Sequence, residues 1–532
     1  MKKAIKYIFI LSILSLVSCS QDLLDLNNPN VPTTATFWKT TTDLQSGLTA
    51  TYSQFSRPGN WGRWIYFRYD LTSDEAFSNS PWTDLANWTK FTYTDYNFIQ
   101  GGSLMYKDHY KQIFEANQVI YYGKLMKATS ASDSILKNKI IAQAKFIRAF
   151  DYFNLNVMFG RGEIVLNPSN PGDVYPMADT NQLDSIAIAD LNDAIIDLPA
   201  TWATADKGRV TKGAAYALLG KIYMQRHEWQ KAKDAFNWLV EGSGASNYGL
   251  MDKYSDNFSN TTENNKESVF EIQFSGANAT PTDMNNGTLL DDNIPAMNVG
   301  NSRAMFLSMK DHGWTDGEVR PWLVTEYKKE LNNSGTFDNR LISSIFYPAV
   351  FKDNPGITFY NGSVKAWKAS WGQECFFRKY TDEAFKTTGD YYSPINYRII
   401  RFADVLLCYA ECIANLGDVT TAATYVDRVR GRVSTNLPKL QNSTIPSIAA
   451  CVTSKDLFLK RLQMERSLEL CLESVRWIDL KRWGILDSQE GLSELISRDT
   501  DFSNYVIGKN QVMPLPQLEV DNNKNLIQNA NY

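Results

Sequence analysis

Residues 211–240 read TKGAAYALLGKIYMQRHEWQKAKDAFNWLV. Tyr216, Leu219, Gly220 and Tyr223 recur at helical intervals, and Ala232 and Phe236 continue the pattern on a second run. Residues so spaced share one helix face. Small side chains at Gly220 and Ala232 stand where two helices must approach closely. The stretch therefore predicts a packed helix pair.

The spacing returns at Leu406, Ala410, Ile413, Ala422 and Val426, and in an interrupted third set. There Ala149 and Tyr152 sit on a first helix, and Ala187, Leu191, Ala194 and Pro199 on a second, after a long insertion. All three sets match the tetratricopeptide pattern, so the expected fold is mainly α on a tetratricopeptide-like framework of helical repeats. Such frameworks expose long faces suited to recognition.

Helical periodicity covers 41–55, 105–127, 135–158, 181–198, 211–241, 399–416, 420–433 and 455–483. The repeats thus occupy about 105–241 and 399–483. Between 242 and 398 Gly, Asn, Asp, Ser and Pro interleave with aromatics, which marks ordered loops with short elements. Ser268 through Phe274 is the clearest strand. Loops of that length inside a fold imply a function.

The chain has 532 residues, a net charge of -4, 43% hydrophobic and 21% charged residues. These values exclude a disordered chain, and the slightly acidic balance argues against general nucleic-acid binding. Three histidines, His109, His227 and His312, lie far apart, which disfavours histidine catalysis or a histidine-rich metal site. No cofactor is expected. Aromatic residues reach 13%.

Lys2, Lys3 and Lys6 precede an apolar run from Tyr7 to Val17, too short for a stable spanning helix, which needs about 20 residues. The run ends in Leu16-Val17-Ser18-Cys19, which resembles the lipobox of bacterial lipoproteins. That resemblance implies a signal peptide at 1–18, lipidation of Cys19 and a tether over 19–36, followed by one unit at 37–532. Cys375, Cys408, Cys412, Cys451 and Cys471 remain, an odd number without nearby histidine; they read as small core residues.

Several stretches together resemble the SusD/RagB family of outer-membrane lipoproteins of Bacteroidetes. They include Ala144 to Leu155 with Phe159-Gly160, Asn265 to Ile272, and Ile400 to Leu407. Glu465 to Leu470 continues through Glu473 to Trp483, and the chain closes with Met513 to Gln517 and Gln528 to Tyr532. The resemblance implies a SusD-like unit whose loop-rich insert forms the ligand face. It further implies capture of oligosaccharides at the cell surface and delivery to a SusC-type TonB-dependent transporter, with no catalysis. Some relatives bind peptides. Arg476, Asp479 and Arg482, with Trp477 and Trp483, are expected to form a helix with buried ion pairs.

Sugar rings stack one C–H face on an aromatic plane, while their hydroxyls need polar partners. Residues 57–98 offer Trp61, Trp64, Trp82 and Trp88 for stacking, with Asn87 and Arg68 as hydroxyl partners. The insert adds Trp314, in Asp311-His312-Gly313-Trp314-Thr315-Asp316-Gly317, and Trp371 beside Trp367. The competing account is that these tryptophans fill a core, as the helical pattern predicts for Trp229, Trp238, Trp477 and Trp483. No Gly-x-Ser-x-Gly elbow is present, and no local pattern promotes a carboxylate pair. Peptide capture and a ligand-free tetratricopeptide adaptor remain open alternatives. Leu290-Asp291-Asp292-Asn293 lacks EF-hand spacing and reads as a solvated loop.

Overall fold

Helix Lys212–Gln225 packs against helix Trp229–Val240, the pair expected from the opening stretch. Thr211 caps the first helix, its hydroxyl accepting the Ala214 N–H at 3.2 Å. A Cβ on Gly220 would lie 2.6 Å from the Phe236 ring, so only glycine permits this approach. The computed structural model describes residues 37–93, 100–275, 300–381, 383 and 393–532. Cys19, the signal and tether segments and the Leu290–Asn293 turn lie outside them.

Successive helices build the framework. Gln100–Leu125 packs on Ala131–Phe159, and that helix packs on Thr180–Asp197. Trp229–Val240 lies against Phe402–Asn415, although some 160 residues separate them in sequence, and Phe402–Asn415 pairs with Val419–Arg430. The loop-rich region therefore leaves the helical stack and returns to it without breaking the series. Its two ends are joined by strand Ser268–Ile272, paired antiparallel with Tyr397–Arg401.

The expected helix over 455–483 is two helices, Lys455–Leu470 and Arg476–Arg482. Leu472 and Ser474 between them adopt positive φ, 60° and 62°. This buried turn has its backbone groups satisfied by charged side chains. Lys379 Nζ donates to Cys471 O at 2.7 Å, Arg303 to Leu472 O at 2.5 Å, and Ser474 N–H to Asp70 at 2.7 Å. A periodicity argument cannot see partners so remote in sequence. The second helix carries the expected ion pairs: Arg476 with Asp74 at 2.7 Å, and Arg482 with Asp479 at 2.9 Å and with Glu411.

A small antiparallel sheet joins the N-terminal part to the insert. Its strands run Ala76–Phe77, Glu318–Val319, Phe376–Phe377 and Ile345–Phe346 in spatial order. Ala76 faces Val319 and Phe77 faces Glu318. This pairing brings the segment that follows residue 77 beside the segment that precedes residue 318.

Candidate functional site

Those two segments meet around Phe306, which sits on the five-residue helix Arg303–Leu307. Trp314 meets Phe306 edge-on, ring centroids 5.0 Å apart at 81°, and Trp82 lies tilted against it at 6.2 Å. Trp314 is 45% exposed and Trp82 partly buried, so both present surface on either side of a buried ring. Beneath them the Arg63 guanidinium lies 4.6 Å from the Trp82 ring and 4.8 Å from Phe306. Cation and rings attract through the ring quadrupole.

Hydrogen bonds hold the two tryptophans in register. Ser80 Oγ donates to Asp316 Oδ1 at 2.6 Å and accepts the Trp82 N–H at 3.1 Å. Asp316 N–H donates to Phe306 O at 2.7 Å, and Trp314 N–H to Met305 O at 2.8 Å. One carboxylate thus bridges both sides. Burial pushes the Asp316 carboxyl up, partly offset by the Ser80 bond and by Arg63. Thr315, with φ of 58°, makes the turn that lets Trp314 project while Asp316 turns inward.

The other expected site residues divide. Asn87 is partly exposed on helix Thr83–Thr89, its Oδ1 accepting from Thr92 at 3.1 Å. It keeps accessible surface. Trp61, Trp64, Trp88, Trp371 and Arg68 do not, because each is buried. Trp61 is enclosed because the turn before it docks on helix Gln100–Leu125, where Asp108 accepts from Arg57 at 2.6 Å and from Gly59 N–H at 2.8 Å. Its ring packs against Tyr397 at 5.0 Å.

Trp64 is wedged edge-on between Trp82 at 4.9 Å and Trp88 at 5.5 Å. Trp88 closes over Gly101, where a Cβ would lie 2.5 Å from its ring. Trp371 donates through Nε1 to Asp311 at 3.0 Å under a neighbouring Trp367. Arg68 stacks on Trp477 at 4.5 Å and donates to Thr72. Of these five, Trp64 packs directly against Trp82, and none leaves a face for a ligand.

Of the four tryptophans expected in the core, Trp477 is fully buried, Trp229 and Trp238 are half-buried against the core, and Trp483 is partly exposed with its Nε1 donating to Glu411 at 2.9 Å. Phe306 was not among the expected site residues, and Arg63 belonged to the 57–98 cluster without an expected role of its own. The first lies on a helix too short to leave a periodic signal, and the second acts through ring contacts made by tertiary packing. Among the described residues, no group of three or more His, Cys, Asp or Glu is arranged to hold a metal ion, and no helix is long and apolar enough to cross a membrane.

Known proteins share this architecture. The profile of the SusD family matches residues 266–532, and one described as starch-binding, associating with outer membrane, matches residues 22–224. SusD-like protein P2 of Formosa agariphila is 24% identical, with 99% of both chains covered. A SusD superfamily protein from Bacteroides vulgatus superposes with a TM-score of 0.77 at 26% identity, covering 93% of this chain and 100% of that one. Surface glycan-binding protein A from Bacteroides thetaiotaomicron, solved in complex with laminarihexaose, gives 0.72 at 20% identity with the same coverage. With profiles spanning both halves and an unbroken helical framework, the chain belongs to the SusD family.

Proposed function

We propose that this chain is a surface lipoprotein of the outer membrane that captures an oligosaccharide and delivers it, unaltered, to a SusC-type TonB-dependent transporter. The observation that carries the binding reading is the pair Trp82, partly buried, and Trp314, exposed, on either side of Phe306 and fixed by the Ser80–Asp316 bond. Rings packed against Phe306, and in the case of Trp82 also against Trp64 and Phe67, suit the flat C–H face of a sugar, since little side-chain freedom is lost on binding. Asn87 and the polar edge of the 311–317 turn supply hydroxyl partners. The relative bound to laminarihexaose and the profile described as starch-binding support a glycan as ligand. Lipidation at Cys19 and a tether over 19–36 belong to the same proposal.

Calorimetric titration of the protein with laminarihexaose and a panel of other oligosaccharides tests the reading. Saturable binding to one glycan is expected, weakened about fivefold by Trp314→Ala, since one lost stacking contact is worth roughly 1 kcal/mol. The bound glycan should be recovered intact. Failure across the panel, or binding indifferent to both Trp314→Ala and Trp82→Ala, would remove the site from this face.

A further inference from the structure

A cavity of about 450 Å³ opens where the ends of the first repeat helices meet the C-terminal helices. Helix Ala131–Phe159 contributes Phe153, Asn156 and Val157, whose spacing places them on one face. Helix Thr180–Asp197 contributes Asp184, the turn after helix Lys212–Gln225 contributes Arg226, and helix Arg476–Arg482 contributes Lys481. The volume falls within the roughly 300–1,000 Å³ of small-molecule sites. None of the lining residues belongs to the Trp82–Trp314 face.

Hydrogen bonds gather these groups around one space. Lys481 Nζ donates to Val157 O at 2.9 Å, and Asn156 Nδ2 donates to Asp184 Oδ1 at 2.6 Å and to Thr180 O at 3.1 Å. Val157 follows Asn156, so the Lys481 ammonium and the Asp184 carboxylate are anchored at consecutive residues of one helix. His227 Nε2 donates to Arg482 O at 2.8 Å, which ties the Arg226 turn to the helix that carries Lys481. Asp184 is 2% exposed, yet among the described residues neither it nor Lys481 has an ion-pair partner. Elsewhere Lys145, Lys221 and Lys379 each meet a carboxylate, of Asp193, Asp404 and Glu473.

Two further polar atoms of the lining are unsatisfied. Both neighbours of the Asn156 amide nitrogen are acceptors, which fixes the amide's orientation and leaves Oδ1 buried without a donor. Arg226 pairs with Glu228 through Nε at 2.6 Å and leaves Nη1 buried without an acceptor. Such groups cost free energy that a bound partner would return. A lone carboxylate beside a free acceptor suits an ammonium group, and a lone ammonium with a free donor suits a carboxylate. Burial raises the Asp184 carboxyl to about 6 and lowers the Lys481 ammonium to about 8, so both are charged near neutral pH. A simple anion or cation would satisfy one and repel the other, whereas a molecule carrying both charges satisfies the two together. Phe153 and Val157 in the same lining suit an aliphatic side chain.

We propose that this cavity is a second ligand site that takes a zwitterionic aliphatic α-amino acid, its ammonium on Asp184 and Asn156 and its carboxylate on Lys481 and Arg226. The test is calorimetric titration of the protein with leucine and, separately, with isocaproate, which lacks the ammonium group, and leucinamide, which lacks the carboxylate. Leucine should bind saturably and each analogue at least ~10-fold more weakly, a difference of about 1.4 kcal/mol. Asp184→Asn keeps an acceptor for the Asn156 amide and should weaken leucine binding by a similar factor while the thermal melt stays cooperative. Lys481→Met should weaken it at least as much. Trp314→Ala should leave it untouched, which separates this site from the glycan face. No binding of leucine, equal binding of either analogue, or indifference to Asp184→Asn would overturn the proposal.

Discussion

The guanidinium of Arg401, on the strand that closes the insert, donates to the Glu469 carboxylate of helix Lys455–Leu470 at 2.6 Å with both side chains buried. The same group reaches Glu267 at 2.9 Å and Glu473 at 2.7 Å. Arg432 and Arg340 converge on Glu469 from two further segments, and Lys379 pairs with Glu473 at 2.8 Å. Insert, repeats and C-terminal helices are therefore tied through one desolvated network. Burial alone would raise the Glu469 carboxyl, but Arg432, Arg401 and Arg340 hold it down to about 2.

Breaking one member leaves buried charge without compensation. Arg401→Met should cost about 3–5 kcal/mol in a urea unfolding curve. Arg401→Lys should recover only part of it, because an ammonium cannot bridge three carboxylates in a fork. A loss below about 1 kcal/mol for Arg401→Met would mean that the network does not hold the insert to the stack.

Gly220 and Phe236 define the closest approach of the first repeat, and alanine at 220 would place a methyl group 2.6 Å from the ring. Alanine gains about 1 kcal/mol of helix propensity over glycine, whereas overpacking costs about 1–3 kcal/mol. Gly220→Ala should therefore lower the melting temperature, and Phe236→Leu in the same chain should restore part of it. A stabilised Gly220→Ala protein would show that the helices can separate at no cost.

Glu75 predicts a pH dependence. Burial, with Asp74 and Asp70 nearby, pushes its carboxyl from 4.5 up to about 8 despite Arg476. The folded state thus holds this proton more tightly than the unfolded chain. Its contribution is complete below pH 4.5 and is lost as pH rises through 8. Glu75→Gln keeps an acceptor for the Leu472 N–H, now 3.2 Å from Glu75 Oε2. Chemical denaturation should find the variant close to the parent at pH 5 and more stable at pH 9. A gap that does not widen between those pH values would show that Glu75 is ionised in the fold.

The repeats were legible because their signal is local. Gly220, Phe236 and the matching positions at 406–426 carry the packing rule within one helix pair, and both pairs form. The break at Leu472–Ser474 was not legible, since it depends on Asp70, Arg303 and Lys379, all more than 90 residues away. The candidate face was legible as composition and illegible as exposure. Trp61, Trp64 and Trp88 share a turn-rich, aromatic stretch with Trp82, yet only tertiary packing against Phe150, Gly101 and Tyr397 decides which rings stay outside. Trp314 was readable because glycines and aspartates on both sides leave no helix to bury it.

That division between buried and exposed rings can be measured. Trp64 is 1% exposed and touches Trp82 and Trp88 edge-on, so Trp64→Ala removes a packed ring and should cost about 3–5 kcal/mol of stability. Trp314 stands 45% exposed, and its truncation should change stability by no more than about 0.5 kcal/mol. Glycan affinity should respond differently: Trp314→Ala weakens binding at full stability, while Trp64→Ala weakens it only through the displaced Trp82. Thermal melts and titrations on the same two variants separate these effects. Should Trp64→Ala keep its melting temperature and lose all binding, the buried ring would itself be a ligand contact, reached by a local opening.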